Sequence, residues 1–483
     1  NDSRRFIFAS EIRGIKANNE ITFNINETFI FDALASLRSE KDQTFYKEIH
    51  RLPPAHYMLV SKDQFRITRY WKLDPTRKIK YFSEKDYIDA FREKFEEAVM
   101  CRLRSDYPIG AELSGGIDSG GIVSMAATKK SIKTFTHSIP EWAREKYYPY
   151  YDETTYARKL IDYHKINNSF FITGEEVSLL DILKKGIWMH EGIMQGTLSI
   201  DSDPLYQKAK EESCKVLISG YGGDEMVTSQ VGIVFNEYAW NFQLFRLFNE
   251  LKATMQPLQW KRFFKQYLKI ILRTNKKRLK QHPPQPPLWT HEVYKSLFID
   301  EKFFNNMNGK NRFNRKMSIP FYHHVKKAQS YRMEYDHIPQ RLEYCAIAAQ
   351  SHRLEYRYPL LDKRLLEFYL ALPNDLKRKN GTGRYIFRKA MEGIAPKEIQ
   401  WREDKSGIVV PILFERLKKD YDELRRILEE GKLNLNTHYL NYNKALDNLG
   451  IIANYDENTE RRPNIGPLKS AIMLLLYQME NDL

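Results

Sequence analysis

The sequence is poor in cysteine and has no long apolar run. Its 483 residues include three cysteines, which lie far apart and in no metal-ligand spacing: Cys101, Cys214 and Cys345. Such a sparse set argues against a disulfide framework and favours a reducing compartment, so we expect a cytoplasmic protein. No apolar stretch is long enough to span a bilayer, and neither a signal peptide nor an internal repeat is visible. A chain of this length is expected to fold as two or three domains.

Acidic residues are missing from one stretch of a chain whose formal net charge is +15. Residues 251–280 contain ten lysines and arginines and no aspartate or glutamate. This excess of positive charge would attract an anionic partner such as ATP, an acidic peptide or a nucleic acid, although a solvated helix face explains the same charges. No recognisable nucleic-acid-binding module is present, so we expect neither a nucleic acid nor a membrane as a partner.

Strand-like and helical patterns alternate along the first half of the chain. A helix is predicted over 83–104, where apolar residues recur at a spacing of four. Strands are predicted at 107–113, 133–139, 169–172 and 215–219. This alternation indicates an α/β fold in which helices cover a mostly parallel sheet. Before it, residues 1–74 are predicted to form β-like strands at 5–9, 55–60 and 65–71, and beyond residue 229 the chain is predicted to be largely helical.

The motif SGGIDS follows the predicted strand 107–113 and opens a predicted helix. A glycine pair in this position leaves backbone N–H groups unpaired, and the helix dipole adds partial positive charge, which together favour phosphate binding. The hydroxyls add donors without bulk, and the aspartate fits Mg²⁺ bridging to the phosphates of ATP. The predicted ligands in this motif are Ser114, Gly115, Gly116, Asp118 and Ser119. A glycine-rich turn without a ligand is the alternative.

A second motif, SGYGGDE, follows another predicted strand. Its glycines let the backbone approach a ligand, and its acids offer hard oxygen ligands to a metal. The predicted ligands are Ser219, Gly220, Gly222 and Gly223 for the nucleotide and Asp224 for Mg²⁺. Two such loops at the carboxyl ends of parallel strands are expected to face one crevice. A tight turn with its acids in solvent is the alternative.

These motifs carry a family resemblance. SGGIDS is similar to the pyrophosphate loop of the N-type ATP pyrophosphatases, and SGYGGDE resembles the second motif of the asparagine synthetases. RSDYPIG at 104–110, EYRYPLLD at 355–362 and a C-terminal signature also resemble that family; the signature comprises Arg384, Arg388, Arg402 and Lys405–Gly407. The resemblance covers nearly the whole chain and implies an ATP-pyrophosphatase-like synthetase domain over 75–483, with a basic helical insertion at about 232–333.

Membership in this family implies a mechanism. A carboxylate attacks the α-phosphorus of ATP to give an acyl-adenylate and pyrophosphate, and an amine then displaces AMP. The resemblance places Glu355 near the reacting amine and Lys405 beside the charge of the transition states. A salt bridge to Arg357 is the alternative for Glu355, and a solvated loop is the alternative for Lys405. Asp152 is either an acid near the nucleotide or a helix N-cap.

Residues 1–74 resemble the second half of the family's glutaminase domain, through FASEIRGI and FYKEIHRLPPAHYMLV. The chain carries no N-terminal catalytic cysteine, so we expect it to work without glutamine. The acceptor side also departs from the family pattern. Gly223 replaces the usual alanine or serine, MVTS follows at 226–229, and residues 335–354 lack the D-R-x-S-M-A pattern.

The departures resemble a diverged branch that includes the lasso-peptide macrolactam cyclases. Three hypotheses therefore stand: a peptide or natural-product amide ligase, a glutamine-dependent asparagine synthetase whose N-terminal half is missing from this chain, and a non-catalytic nucleotide-binding scaffold. The intact SGGIDS and Lys405 speak against the scaffold, and the departures favour the peptide ligase. We expect a peptide carboxylate as the substrate, together with a partner protein that delivers it.

Overall fold

The centre of the fold is a five-stranded sheet whose strands all run parallel, in the order β5-β4-β3-β6-β7. The computed structural model describes residues 6–18, 20–62, 64–144, 153–196, 198–279, 294, 296–317, 322–335, 338–403, 412–435, 438–454 and 464–481. The strands of the sheet are β3 (Ile109–Glu112), β4 (Lys133–His137), β5 (Ser169–Ile172), β6 (Val216–Ile218) and β7 (Glu355–Arg357). This parallel arrangement confirms the α/β fold class.

Two apolar cores cover the two faces of the sheet. In β3, Ile109 and Ala111 point into one core, which also contains residues of the helix Glu84–Met100. Because side chains alternate along a strand, Gly110 and Glu112 point to the other face. On that face, Phe135 of β4 belongs to the second core together with the C-terminal helix. Each helix layer is therefore held by one face of the same strands.

The helices of the described residues surround this sheet and extend beyond it. They are α1 (Ile12–Lys16), α2 (Glu27–Leu34), α3 (Glu84–Met100), α4 (Ile117–Ala127), α5 (Thr154–His164), α6 (Leu179–His190), α7 (Leu198–Asp201), α8 (Asp203–Glu211), α9 (Val234–Trp240), α10 (Leu244–Thr254), α11 (Trp260–Leu279), α12 (Glu301–Asn306), α13 (Gly309–Met317), α14 (Val325–Tyr335), α15 (Ile338–Ser351), α16 (Lys363–Ala371), α17 (Asn374–Lys377), α18 (Tyr385–Ala390), α19 (Lys397–Gln400), α20 (Leu413–Lys419), α21 (Tyr421–Asn434), α22 (Tyr442–Ala453) and α23 (Ile465–Glu480). Of these helices, none has the length and apolar composition that crossing a bilayer requires.

The predicted helix 83–104 is observed as α3, and its start is explained by a capping box. Ser83 accepts a hydrogen bond from the Asp86 backbone nitrogen, and the Asp86 side chain accepts one from the Ser83 backbone nitrogen. These paired bonds satisfy two N–H groups that would otherwise lack a partner at the helix start. The strands β3 to β6 lie inside the four predicted ranges. The fifth strand, β7, was not predicted.

The N-terminal region contributes to the same core as the C-terminal helix. Its strands β1 (His56–Val60) and β2 (Phe65–Arg69) form an antiparallel hairpin, whereas the described residues of the predicted strand 5–9 are not in a strand. The ring of Phe45 lies 4.9 Å from that of Tyr477 in α23, and the hydroxyls of Tyr46 and Tyr477 lie 2.9 Å apart. The described part of residues 1–74 therefore packs directly against the predicted synthetase part.

The predicted basic insertion builds a small core of its own. Helices α9, α10 and α11 bury Val234, Leu247 and Phe263, among other residues, in a cluster separate from the two cores of the sheet. Acidic residues are absent from α11, and lysines and arginines occupy much of its exposed surface. The helical character expected for this region is present in its described residues.

Candidate active site

The first glycine loop, residues 114–119, joins the end of β3 to the start of α4. Its serines close the turn internally, because the Ser114 backbone nitrogen donates to Ser119 Oγ at 3.1 Å and the two hydroxyl oxygens lie 3.0 Å apart. Gly116 is the N-cap of α4 and provides no side-chain hydrogen bond to the first turn. An anion could take that place, since uncapped N–H groups and the helix dipole both favour negative charge.

The backbone of this loop is fixed from outside by Arg402. Its Nη1 donates to the carbonyl oxygen of Gly115 at 3.1 Å, and its Nη2 donates to Glu153 Oε1 at 2.7 Å. The guanidinium lies over the ring of Tyr156, 3.7 Å from its centroid. Gly115 has φ +74°, and a Cβ there would lie 2.7 Å from the Tyr156 Cβ. The close approach and the positive φ together explain the requirement for glycine.

The second glycine loop, residues 219–225, follows β6, which is the direct neighbour of β3. The Tyr221 backbone nitrogen donates a hydrogen bond to Oγ of Ser219, the first residue of the loop, at 3.2 Å. The same hydroxyl donates to Glu112 Oε2 at 2.6 Å. The backbone nitrogen of Ser219 donates to the carbonyl oxygen of Arg357 at 3.0 Å. The loop is therefore tied to both neighbouring strands, β3 and β7.

Glycines bring the two loops into direct contact. A Cβ on Gly220 would lie 2.6 Å from the backbone nitrogen of Ser119, and a Cβ on Gly223 would lie 3.1 Å from Asp118 Cγ. Gly222 has φ +92°, and a Cβ there would lie 2.3 Å from a leucine side chain that follows β7. The predicted nucleotide ligands of both motifs thus lie together at the carboxyl end of the sheet. Their individual roles stay predictions.

The predicted metal ligands are two carboxylates on these loops. The Asp118 side chain lies against Gly223, the residue before Asp224. Asp224 forms an ion pair with Arg384, whose own side chain is 9% exposed. Within the described ranges, no group of three or more histidine, cysteine, aspartate or glutamate residues could hold a metal ion. Two carboxylates nevertheless fit Mg²⁺, which commonly takes its remaining ligands from water and substrate phosphates.

Glu355, a predicted catalytic residue, lies at the other end of the sheet. Its strand β7 pairs Glu355 with Val216, the first residue of β6, and pairs Arg357 with Ile218, the last. The second glycine loop begins after Ile218, so the Glu355 backbone lies about 10 Å from that loop along the strand direction. The structure therefore does not bring Glu355 to the glycine loops.

The surroundings of Glu355 are those of a partly exposed ion pair. Arg357 Nε donates to Oε1 at 2.8 Å and Nη2 donates to Oε2 at 2.6 Å, and these hydrogen bonds lower the pKa of Glu355. Arg357 Nη1 also donates to the backbone carbonyl oxygens of Arg102 and Arg104, before β3. The salt-bridge alternative describes this environment, and the catalytic assignment stays a prediction that the placement does not support.

Two other predicted residues cannot be placed. Lys405 and Asp152 lie outside the described residues, and the motif Lys405–Gly407 lies there with them. The last described residue of this segment is Glu403, directly after Arg402. The predicted role of Lys405 stays a prediction.

Sequence reasoning missed several side chains that build the crevice. Glu112, Arg384 and Arg402 contact the two loops, and Arg341 lies with its guanidinium 4.1 Å from the ring centroid of Tyr221. The sequence signature includes Arg384 and Arg402 but assigns neither of them a role. For Glu112 a signal was available, because a glutamate stands in an otherwise apolar strand directly before the first loop.

Comparisons with known proteins agree with this arrangement. Residues 90–464 match the family described as asparagine synthase, and residues 1–71 match the family described as glutamine amidotransferase domain. The chain is 24% identical over 409 residues to glutamine-hydrolyzing asparagine synthetase 3 of Bacillus subtilis (strain 168), which covers 82% of this chain and 60% of that protein. It is 28% identical over 382 residues to glutamine-hydrolyzing asparagine synthetase 1 of the same organism, which covers 74% of this chain and 54% of that protein.

A third relative carries a different description. The chain is 26% identical over 203 residues to Amidase chyE of Penicillium rubens, which covers 38% of this chain and 29% of that protein. The chain thus spans 60% or less of the length of each of these three relatives. The match to asparagine synthase, in contrast, runs across most of the chain and includes both glycine loops. The chain therefore belongs to the asparagine synthase family.

Proposed function

We propose that the chain is an ATP-dependent ligase that forms carbon–nitrogen bonds through an acyl-adenylate, with AMP and pyrophosphate as its nucleotide products. The observation that carries this proposal is the contact between the two glycine loops, at Gly220 and Ser119. These loops follow neighbouring parallel strands, and ligands of open α/β sheets bind in the crevice at the carboxyl ends of such strands.

The residues of the crevice have separate tasks in this proposal. The first turn of α4, with the hydroxyls of Ser114 and Ser119, binds the pyrophosphate portion of ATP. Asp118 and Asp224 would hold Mg²⁺, and the bound ion would neutralise part of the phosphate charge. Arg384 lies beside Asp224 and adds a further positive charge. The attack of a carboxylate on the α-phosphorus needs little covalent help, so the protein contributes mainly alignment and charge stabilisation.

Pyrophosphate exchange into ATP is the direct test of adenylation. The purified chain would be mixed with ATP, Mg²⁺, labelled pyrophosphate and a candidate carboxylate. L-aspartate and a synthetic peptide with a free N-terminus and one internal aspartate serve as probes. We expect label in ATP only when a carboxylate is present. Separation of the nucleotides after a full turnover should give AMP, and ADP as the main product would refute the mechanism.

For the acyl substrate we propose a peptide that supplies its own amine, as a lasso-type macrolactam cyclase requires. The segment that departs from the family pattern contains α15, and Arg341 of that helix contacts Tyr221 in the second loop. The departures therefore border the crevice in which an acyl acceptor would bind. ATP cleavage that depends on the peptide probe, with no response to aspartate, is the expected result.

A glutamine-dependent asparagine synthetase is the second candidate. It is supported by the match of residues 1–71 to a glutamine amidotransferase domain and by the printed names of the asparagine synthetase relatives. Formation of asparagine from aspartate, ATP and either glutamine or ammonium distinguishes the two candidates. Substantial asparagine production would favour this candidate and remove the peptide proposal.

A further inference from the structure

The last residue of β3, Glu112, breaks the pattern of the most central strand of the sheet. Ile109, Gly110 and Ala111 are buried, whereas Glu112 is partly exposed at the carboxyl end of the strand. A carboxylate that is partly withdrawn from water at the end of the central strand costs free energy unless its charge is compensated or used. Glu112 therefore calls for a chemical explanation that the packing of the sheet does not supply.

One of the two carboxylate oxygens of Glu112, Oε1, is available to accept a further hydrogen bond. Ser219 Oγ donates to Oε2 at 2.6 Å. Among the described residues, no hydrogen bond reaches Oε1, and no lysine or arginine nitrogen lies within 4 Å of the carboxylate. Arg384, a cation of the same crevice, forms its ion pair with Asp224 and not with Glu112. A carboxylate with one open oxygen and no paired cation is suited to bind a cationic or hydrogen-bond-donating group of a ligand.

The side chains whose pKa responds to the charge of Glu112 are three tyrosines, one cysteine thiol and one arginine guanidinium. Burial, together with the charge of Glu112, raises the pKa of the phenols of Tyr206 and Tyr356 well above the ordinary value, so both remain neutral. The charge of Glu112 is also felt by Tyr358, Cys345 and Arg341. The guanidinium among these groups lies over the ring of Tyr221 rather than against the carboxylate.

We propose that Glu112 is the catalytic residue that binds the acceptor amine and removes a proton from it. The proposal rests on the proposed adenylating function. One residue, Leu113, separates Glu112 from the first loop, and Glu112 accepts a hydrogen bond from Ser219 at the start of the second. A protonated amine that enters the crevice transfers one proton to the Glu112 carboxylate. The neutral nitrogen then attacks the acyl carbon and forms the C–N bond. The bond from the acyl carbon to the phosphate oxygen breaks, and its electron pair leaves with AMP. The surplus proton on the nitrogen passes to solvent.

This assignment differs from the one that the sequence motif predicts. Glu355 lies on the opposite face of the sheet and at the opposite end, where Arg357 neutralises it through two hydrogen bonds. A base needs an accessible oxygen close to the proton that it removes. Glu112 meets that requirement at the edge where the loops lie, and Glu355 does not.

The test compares two amines with the variant Glu112→Gln. The glutamine keeps a hydrogen-bond acceptor for Ser219 and removes the negative charge. Ammonium is protonated near pH 7 and needs a base, whereas hydroxylamine is already largely neutral and does not. The acyl substrate is the carboxylate that gives the strongest pyrophosphate exchange. In the Glu112→Gln variant we expect amide formation from ammonium, or from the peptide's own amine, to fall about 100-fold or more. Exchange and hydroxamate formation should stay within about threefold of the unmodified protein.

Each other outcome overturns the assignment. An equal loss of exchange, or a raised Mg²⁺ requirement for exchange, would place Glu112 in ATP, acyl or metal binding. Unchanged amide formation would remove its role as a base. Glu429→Gln, on the exposed surface of α21, is the matched control and should change neither reaction. Absence of exchange by the unmodified protein with every carboxylate would refute the adenylating function itself, and exchange without any amide product would refute the amine site alone.

Discussion

Two edges of one sheet carry glutamates with opposite surroundings. At the carboxyl edge, Glu112 accepts a hydrogen bond from a serine and lies beside two glycine loops. At the amino edge, Glu355 accepts two hydrogen bonds from Arg357, one from Nε and one from Nη2. The difference shows that membership of a motif does not decide the role of a charged residue. Its neighbours in three dimensions decide whether the charge is available to a ligand or already neutralised.

The segment that follows Glu355 extends the same contrast. Asp362 is buried and accepts hydrogen bonds from Arg102 at 2.7 Å and from Arg364 at 2.9 Å. Arg102 stands just after α3, and its carbonyl oxygen accepts a hydrogen bond from Arg357. The block EYRYPLLD thus fastens β7 to the end of α3. We regard the block as a structural clamp and the carboxyl edge as the chemical region, and four predictions test that division.

The largest effect is expected at the carboxyl edge from Asp118→Ala. If Asp118 is a ligand of Mg²⁺, as proposed, its loss should lower pyrophosphate exchange by about 10³-fold, since metal-ion stabilisation amounts to several kcal/mol. Circular dichroism should show an unchanged fold. Asp447→Ala, at an exposed position of α22, is the control. Near-normal exchange by the Asp118 variant would show that this edge is not the chemical region.

A smaller loss is expected from Gly220→Ala. The added Cβ would lie 2.6 Å from the backbone nitrogen of Ser119, so one of the two loops must move. Because a displacement of about 1 Å can cost about 10²-fold in rate, exchange should fall by that order. At Gly232 a Cβ would meet nothing within 4 Å, so Gly232→Ala should be neutral. Equal activities of the two variants would mean that the contact between the loops is not needed.

Asp362→Asn should affect stability more than chemistry. Burial alone would raise the pKa of Asp362, but the hydrogen bonds from Arg364 and Arg102 outweigh it and hold the pKa well below the usual range. Removing the charge leaves Arg102 without its ion-pair partner and should lower the free energy of unfolding by about 2–4 kcal/mol at pH 7.

The pH dependence of this effect has a definite sign. A carboxylate whose pKa is depressed by folding stabilises fully above its unfolded pKa of about 3.9 and loses that contribution as the pH falls. Urea denaturation of the two proteins should therefore differ most near neutral pH and converge below about pH 4. If the difference in unfolding free energy stayed constant as the pH fell well below about 4, the ion-pair explanation would be contradicted.

The smallest effect is expected from Glu355→Gln. Its side chain is 63% exposed, and exposed ion pairs contribute about 0–1 kcal/mol to stability. Amide formation should remain within about threefold of the unmodified protein. A loss of about 100-fold at constant exchange would instead support the catalytic role that the family resemblance implies, and would move chemistry to the amino edge.

Local patterns were sufficient to predict the strands that carry the loops. β3 to β6 are apolar and alternate with helices, so their approximate positions and parallel arrangement follow from the sequence. β7 was missed because its three residues, Glu355 to Arg357, include two charges and have no apolar pattern. It becomes a strand because β6 offers it a hydrogen-bonding edge, which local sequence does not reveal.

The two glycine loops of the site could be predicted from the sequence, but the side chains that hold these loops in place could not. The composition of SGGIDS and SGYGGDE, together with the predicted strands before them, is sufficient to predict two ligand-binding loops. Arg402 reaches Gly115 across 287 positions of sequence, and Arg384 reaches Asp224 across 160. Such long-range contacts are created by tertiary packing. The separation of Glu112 from Glu355 likewise became visible only when the register of β6 and β7 was known.

The contact between Tyr46 and Tyr477 has a consequence for how the protein is made in the cell. The two hydroxyls belong to residues 431 positions apart. At a translation rate of about 5–20 residues per second, the partner of Tyr46 leaves the ribosome about 20–90 s later. Until then the apolar surface of Phe29, Phe31 and Phe45 lacks the helix that buries it in the finished fold. The apolar surface of the N-terminal region therefore stays exposed while the rest of the chain is synthesised, and it is a surface that a chaperone could cover during that time.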